Sequence, residues 1–132
     1  MYSENCIFCK IAKGEIPCVK IWEDEKHLAF LDVNPMSPGH TLIMPKNHTD
    51  YLFDIEDNEY SELMLKAKEI AVKLKSKLNP KRVCVIVEGF LIPHAHIHLI
   101  PVNNPSEFNP KNAKPAKIEE LKKIAEKILK ND

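Results

Sequence analysis

Apolar and polar positions along the chain follow two different periods, and the longer period predicts helices. Between residues 54 and 78 apolar side chains recur every three or four positions, which is typical of an amphipathic helix with one buried stripe. A similar stripe over residues 118–129 predicts a C-terminal helix that must pack on an apolar surface. Residues 6–14 predict a short N-terminal helix that ends at Gly14, because glycine often follows the last helical turn.

Short runs rich in β-branched and aromatic residues predict five strands. They cover residues 19–22, 28–32, 41–44, 82–87 and 95–100. The connections between the first three are short, and short connections favour antiparallel neighbours. Residues 103–116 are rich in proline and asparagine and predict an extended crossing without regular structure. We therefore expect an α+β fold: a five-stranded antiparallel sheet with one main helix packed on it, plus a short N-terminal helix and a C-terminal helix.

Composition indicates a single core and argues against some classes of partner. With 132 residues and 44% hydrophobic content, the chain is large enough to bury one core. Nineteen basic residues balance nineteen acidic ones, so we expect neither a nucleic-acid partner nor a charged membrane partner. The sequence carries no recognisable export signal and no run near the roughly 18 apolar residues of a membrane span, which predicts a cytoplasmic protein.

Three histidines at alternate positions are the most informative chemical feature. His94, His96 and His98 lie in the last predicted strand, where side chains two apart share a face. Imidazole can act as nucleophile, proton carrier or metal ligand near neutral pH. A plain polar outer face is the alternative, but half of the six histidines within five positions favours a functional row. The outer two stand about 13 Å apart on a strand, too far to share one zinc comfortably, so the row favours a division of roles.

Cys6 and Cys9 form a C-x-x-C pair, a spacing that commonly provides half of a zinc site. His48 and His94 are the candidates for the missing ligands. Two alternatives remain open at this point. The cysteines can be small buried hydrophobes, or a thioredoxin-like redox pair, although that motif usually follows a strand of a βαβ unit.

The histidine row and its flank, residues 94–100, resemble the His-φ-His-φ-His-φ-φ signature of the histidine triad (HIT) superfamily, where φ is apolar. Residues 6–11, 28–32, 38–42 and 45–48 resemble further segments of that family in the same order. The resemblance covers residues 6 to about 101 and points to the nucleotide-binding, adenosine phosphoramidase branch. It implies a HIT-like nucleotide-binding domain over residues 1–102, the crossing over 103–116, and a helix over 117–132 that docks on the same domain or on a dimer partner.

The resemblance also implies an activity and the residues that perform it. The expected protein is a homodimer that binds purine nucleotides such as AMP or GMP and hydrolyses or transfers a nucleoside monophosphate through a covalent nucleotidyl-histidine. His96 takes the place of the nucleophile, and His98 is placed to bind phosphate oxygens or to pass a proton. His40 matches an earlier family histidine, although a turn-end histidine with no catalytic role is an equal alternative.

Two further sets of residues follow from the same resemblance. An apolar slot would hold the base, and Asp32 would accept hydrogen bonds from the ribose hydroxyls. A structural zinc would tie the N-terminus to the sheet. The slot consists of Ile7, Phe8, Ile11, Phe30 and Val33, and the zinc ligands are Cys6, Cys9, His48 and His94.

The sequence departs from the family pattern just before the histidine row. Gly89 is followed by only four residues before His94, whereas many members carry a longer loop with a Gly-Gln pair and a small hydroxyl residue that contact phosphate. Val87 stands where an asparagine is usual. Such donors stabilise developing charge, so their loss bears on rate and substrate. We expect cleavage of a P–N or P–O bond in a nucleoside 5′-phosphate derivative such as a phosphoramidate. The alternatives are a dinucleoside polyphosphate hydrolase and a zinc-stabilised nucleotide-binding protein with negligible catalysis.

Overall fold

Five antiparallel strands form one sheet in the order β1-β2-β3-β5-β4. The structure is a computed structural model and describes residues 2–131. It confirms the predicted α+β fold, with one long helix, one short N-terminal helix and one C-terminal helix. The strands are β1 (Lys20–Glu23), β2 (His27–Leu31), β3 (Thr41–Pro45), β4 (Arg82–Ile86) and β5 (Ile97–Val102), and the helices are α1 (Ile7–Ala12), α2 (Asp57–Leu78) and α3 (Ile118–Leu129).

The central strands are buried on both faces, because helices cover the sheet from two sides. On β3, Ile43 belongs to the main core with α2 and α3, whereas Leu42 and Met44 point to a smaller core under α1. This alternation follows from the period of two along a strand. The inner side of α3, formed by Leu121, Ala125 and Ile128, lies in the main core of the same chain.

The main helix is shorter at its start than its apolar pattern predicts. Residues 52–54 form a separate 3₁₀ turn, and α2 begins at Asp57. The helix ends where predicted, because Asn79 adopts a left-handed conformation with φ 54° and its N–H donates to the Lys75 carbonyl at 3.1 Å. Pro80 follows and cannot continue the helix.

Two expectations about local structure are wrong. The last strand begins at Ile97 rather than at residue 95, because the backbone of Ala95 bonds to a loop, with its N–H donating to the Thr49 carbonyl at 2.7 Å. The crossing over residues 103–116 is not uniformly extended. It contains two 3₁₀ turns, Pro105–Glu107 and Pro110–Asn112, because the side chains of Asn104 and Asn109 each accept a backbone N–H at the start of a turn.

Among residues 2–131, no helix combines the length and the apolar character that spanning a bilayer requires.

Candidate active site and metal cluster

A cleft of about 580 Å³ lies over the sheet between α1, the turn after β2 and the end of the histidine row. Its lining is mostly apolar, and its imidazoles and carboxylates come from different elements. The structure brings together in this cleft all of the residues for which the sequence predicts catalytic or nucleotide-binding roles. These are Ile7, Phe8, Ile11, Phe30, Asp32, Val33, His40, His96 and His98.

A backbone carbonyl two residues earlier in the chain holds the ring of His96 in one orientation. Its Nδ1 lies 2.6 Å from the His94 carbonyl oxygen, which can only accept, so Nδ1 carries the proton. The ring also meets the edge of Phe8 at 4.9 Å between centroids and is almost fully buried. In the neutral ring Nε2 is therefore an unprotonated base with a free lone pair.

A hydrogen bond from His40 fixes the tautomer of His98. The Met36 N–H donates to His40 Nδ1 at 3.0 Å, so the proton of a neutral His40 ring sits on Nε2. That Nε2–H donates to His98 Nδ1 at 2.9 Å. His98 is thereby left with its own proton on Nε2, as a hydrogen-bond donor.

Burial keeps both of these rings neutral at physiological pH. It lowers the pKa of His40 to about 4 and that of His98 to about 4, and in His98 the neighbouring His96 and His40 add to the effect. Asp32 lies beside them, with Oδ2 3.5 Å from His40 Nε2 and 4.0 Å from His98 Nδ1. Burial raises the pKa of this carboxyl, although its Oδ1 accepts the Asn34 N–H at 2.8 Å.

Several lining residues were not identified from the sequence. The carboxylate of Glu88 and the imidazoles of His96 and His98 place ligand atoms within 4.8 Å of one another. Pro110 and Ala113, from the segment after β5, also line the cleft. No lysine or arginine among the described residues does so. The sequence feature that could have indicated a role for Glu88 is the short loop directly after it, which leads to the histidine row.

Beside the cleft, Cys6, Cys9, His48 and His94 form a second cluster, with one ligand atom of each within 4.8 Å of the others. The Sγ atom of Cys6 lies 3.3 Å from His94 Nδ1, and Cys9 Sγ lies 3.5 Å from both His94 Nδ1 and His48 Nδ1. In a tetrahedral zinc site with the usual bond lengths, sulfur and nitrogen ligands stand about 3.6 Å apart. The donor set and its spacing therefore fit zinc.

The orientation of His94 supports the same assignment. Its Nε2 lies 2.7 Å from the Pro45 carbonyl oxygen and must donate, which leaves the Nδ1 lone pair directed at the cysteines. A carbonyl that fixes a histidine ligand in this way is common around zinc. The redox alternative loses support, because burial raises the pKa of the Cys9 thiol, whereas reactive cysteines have lowered values.

Comparison with known proteins agrees with this geometry. The family model of the HIT domain matches residues 13–104. The chain is 36% identical over 105 residues to adenosine 5′-monophosphoramidase hnt1 of Schizosaccharomyces pombe, which covers 76% of each protein. The crystal structure of a Hit-like protein from Bartonella henselae is similar with a TM-score of 0.85 and 29% identity, covering 97% of this chain and 96% of that one.

A Zn-bound histidine triad family protein from Mycobacterium smegmatis has the same fold, with a TM-score of 0.78 and 26% identity over 94% of this chain and 93% of that one. These matches and the order of the motifs establish the class. The chain belongs to the HIT family.

Proposed function

We propose that this HIT protein hydrolyses nucleoside 5′-phosphoramidates through a covalent nucleotidyl-His96 intermediate. The observation that carries the proposal is the state of His96, which lines the cleft and whose Nδ1–H is held by the His94 carbonyl, so that Nε2 of the neutral ring is the unprotonated base. The relative in S. pombe, an adenosine 5′-monophosphoramidase, supports the reaction class. The large apolar part of the cleft suits a purine base, so AMP or GMP is the expected product.

In the first step Nε2 of His96 attacks phosphorus, the N–P bond to the ring forms, and the P–N bond to the leaving amine breaks. The leaving nitrogen takes one proton from solvent water and departs as the neutral amine, and the His94 carbonyl stabilises the positive charge of the adduct through Nδ1–H. The Nε2–H of His98 is placed to donate to a phosphate oxygen. In the second step the oxygen of a water molecule attacks phosphorus and the bond between phosphorus and His96 Nε2 breaks. The nucleoside monophosphate leaves, neutral His96 is regenerated, and the proton lost by the water returns to solvent.

The charges of the cleft favour an amine leaving group over a second phosphate. Two carboxylates, Asp32 and Glu88, line the cleft, and no cationic side chain of residues 2–131 lines it with them. The neutral state of His40 and His98 adds no positive charge at pH 7. A dinucleoside polyphosphate would bring several further negative charges into this environment, at a cost of about 1 kcal/mol or more for each close like-charge pair.

We further propose a structural zinc ion bound by Cys6, Cys9, His48 and His94. When bound, it would tie the N-terminal segment to the sheet and supply no reactive group to the cleft. Its thiolate ligands must be reduced, which suits the cytoplasm as the location.

A homodimer is proposed from the unpaired edge of the sheet. Strand β4 lies at one edge, and Val85 on it is 53% exposed. On the neighbouring helix α2, Leu65 and Val72 are each 61% exposed and lie two turns apart on one side. A second copy of this chain would cover both surfaces. Light scattering should give twice the 15.1 kDa of the chain, and a monomeric mass at micromolar concentration would contradict this proposal.

The decisive experiment detects the adduct directly. Protein is mixed briefly with an adenosine phosphoramidate, quenched, and measured by intact mass spectrometry for the wild type and for His96→Ala. We expect an added nucleotidyl mass in the wild type and none in the variant, together with a loss of turnover of at least about a thousandfold.

The control is AMP binding by the His96→Ala protein, measured by calorimetry, which shows that its cleft is intact. Wild-type protein that binds AMP but turns over no such substrate would refute the proposal and favour a zinc-stabilised binding protein. Faster turnover of a diadenosine polyphosphate than of the phosphoramidate would instead favour the polyphosphate hydrolase.

A further inference from the structure

The segment between β5 and α3 carries features that the family match leaves unexplained. The HIT domain match ends at residue 104, yet Pro110 and Ala113 line the same cleft as the catalytic histidines. We call residues 105–116 the strap. Its presence at the cleft places a part of the chain beyond the HIT domain match within reach of the proposed nucleotide.

The strap is held in place at several points along its length. The side chain of Asn104 caps its first 3₁₀ turn and that of Asn109 caps its second. Near its end the Ala116 N–H donates to the Val33 carbonyl at 2.9 Å, and Val33 itself lines the cleft. Helix α3 follows directly, and its inner side, formed by Leu121, Ala125 and Ile128, packs in the main core. The strap therefore has a defined position beside the turn after β2.

The chemistry of the strap suits one part of a nucleotide. Its two lining residues offer a proline ring and a methyl group, with no charge and no polar side-chain atom. The imidazoles of His96 and His98 provide the position for the phosphate, and Asp32 carries the polar atoms that suit ribose hydroxyls. Pro110 and Ala113 are exposed to solvent in this structure, so their surfaces are free to be covered by a ligand.

We propose that the strap forms one wall of the base-binding part of the cleft, in the same chain that carries His96. Pro110 and Ala113 contact the base opposite the apolar slot, so the C-terminal extension takes part in nucleotide recognition. The inference depends on the proposed function for the position of the phosphate. It adds a base-contacting segment that lies beyond the HIT domain match.

The test measures binding of two probes that differ only by the base, AMP and ribose 5-phosphate, using calorimetry on the full chain. The variant Ala113→Leu adds bulk at the proposed wall, and both residue 113 and its surroundings are exposed enough to accept it. We expect the Kd for AMP to rise about tenfold or more, because an added side chain in a fitted pocket is poorly tolerated. The Kd for ribose 5-phosphate should change less than about twofold, which is within the usual scatter.

Lys111→Leu is the matched control, because it places the same side chain on the strap at an exposed residue that does not line the cleft. It should leave both constants unchanged. An unchanged AMP constant in Ala113→Leu, or equal weakening of both probes, would overturn the strap proposal while leaving the proposed reaction intact. Wild-type protein that binds neither probe would overturn both.

Discussion

Zinc should raise the free energy of unfolding of this protein by an amount that can be calculated from the free zinc concentration. A ligand that binds the folded chain alone adds about 1.4 kcal/mol for each tenfold excess over its Kd. Unfolding entropy near 2.1 cal/mol/K per residue gives about 0.28 kcal/mol/K for 132 residues. Dividing the two, we expect the Tm to rise by about 5 °C for each tenfold increase in free zinc above the Kd.

The assay is thermal unfolding of chelator-treated protein in buffered free zinc, so the slope can be read without knowing the Kd. Cys9→Ser should remove most of the slope, because Cys9 Sγ lies 3.5 Å from both imidazoles of the cluster. Cys84→Ser is the control, since this half-buried thiol on β4 lies outside the cluster. A flat wild-type response, or an equal slope in Cys9→Ser, would refute the zinc assignment.

Two further predictions concern stability. Because burial lowers the pKa of His40 to about 4, below its unfolded value, its stabilising contribution is present above pH 6.5 and is lost as the pH falls towards 4. The loss in the free energy of unfolding amounts to about 2 kcal/mol between pH 7 and pH 5. Urea unfolding of His40→Gln should therefore show a loss over this pH range that is smaller by about this amount. Gly39→Ala should cost about 2 kcal/mol or more, because φ is 91° and a Cβ there would overlap Leu78 Cδ1 while lying 3.2 Å from Cγ of the rigid Pro101 ring. Gly14→Ala, with a similar φ of 80° but no atom within 4 Å of the added carbon, should lose clearly less; equal losses would contradict the packing argument.

Local sequence patterns predict those helices and strands whose positions depend mainly on the burial of apolar side chains. The three- and four-residue spacing in α2 and α3 reflects a buried stripe, and both helices form within the predicted segments, although α2 begins three residues later than predicted. Strand β3 also lies where its apolar run predicts it, because it is buried on both faces. Nine residues of the cleft could be named in advance because their motifs occur in the order of a known family, whereas Glu88, Pro110 and Ala113 could not.

Features that depend on backbone partners distant in sequence were not predictable. Strand β5 begins only at Ile97 because the Ala95 N–H bonds to the Thr49 carbonyl, and no sequence periodicity indicates this contact. The tautomer of His98 depends on the Met36 N–H acting through His40. The position of Ala113 at the cleft depends on how α3 docks, so a segment that reads as a mere crossing contributes to the site.

The two contacts of His94 affect how loss-of-function alleles at this position are interpreted. Its peptide carbonyl holds the ring of His96, and its own imidazole belongs to the cluster with Cys6, Cys9 and His48 that we propose to bind zinc. An allele that replaces this side chain keeps the carbonyl, but it removes the imidazole that bonds to the Pro45 carbonyl and the cysteines and so fixes the backbone from which that carbonyl reaches His96. Loss of activity in such an allele is therefore no evidence that the first histidine of the row takes part in chemistry, and alleles of Cys6 or His48 report more directly on the proposed zinc site.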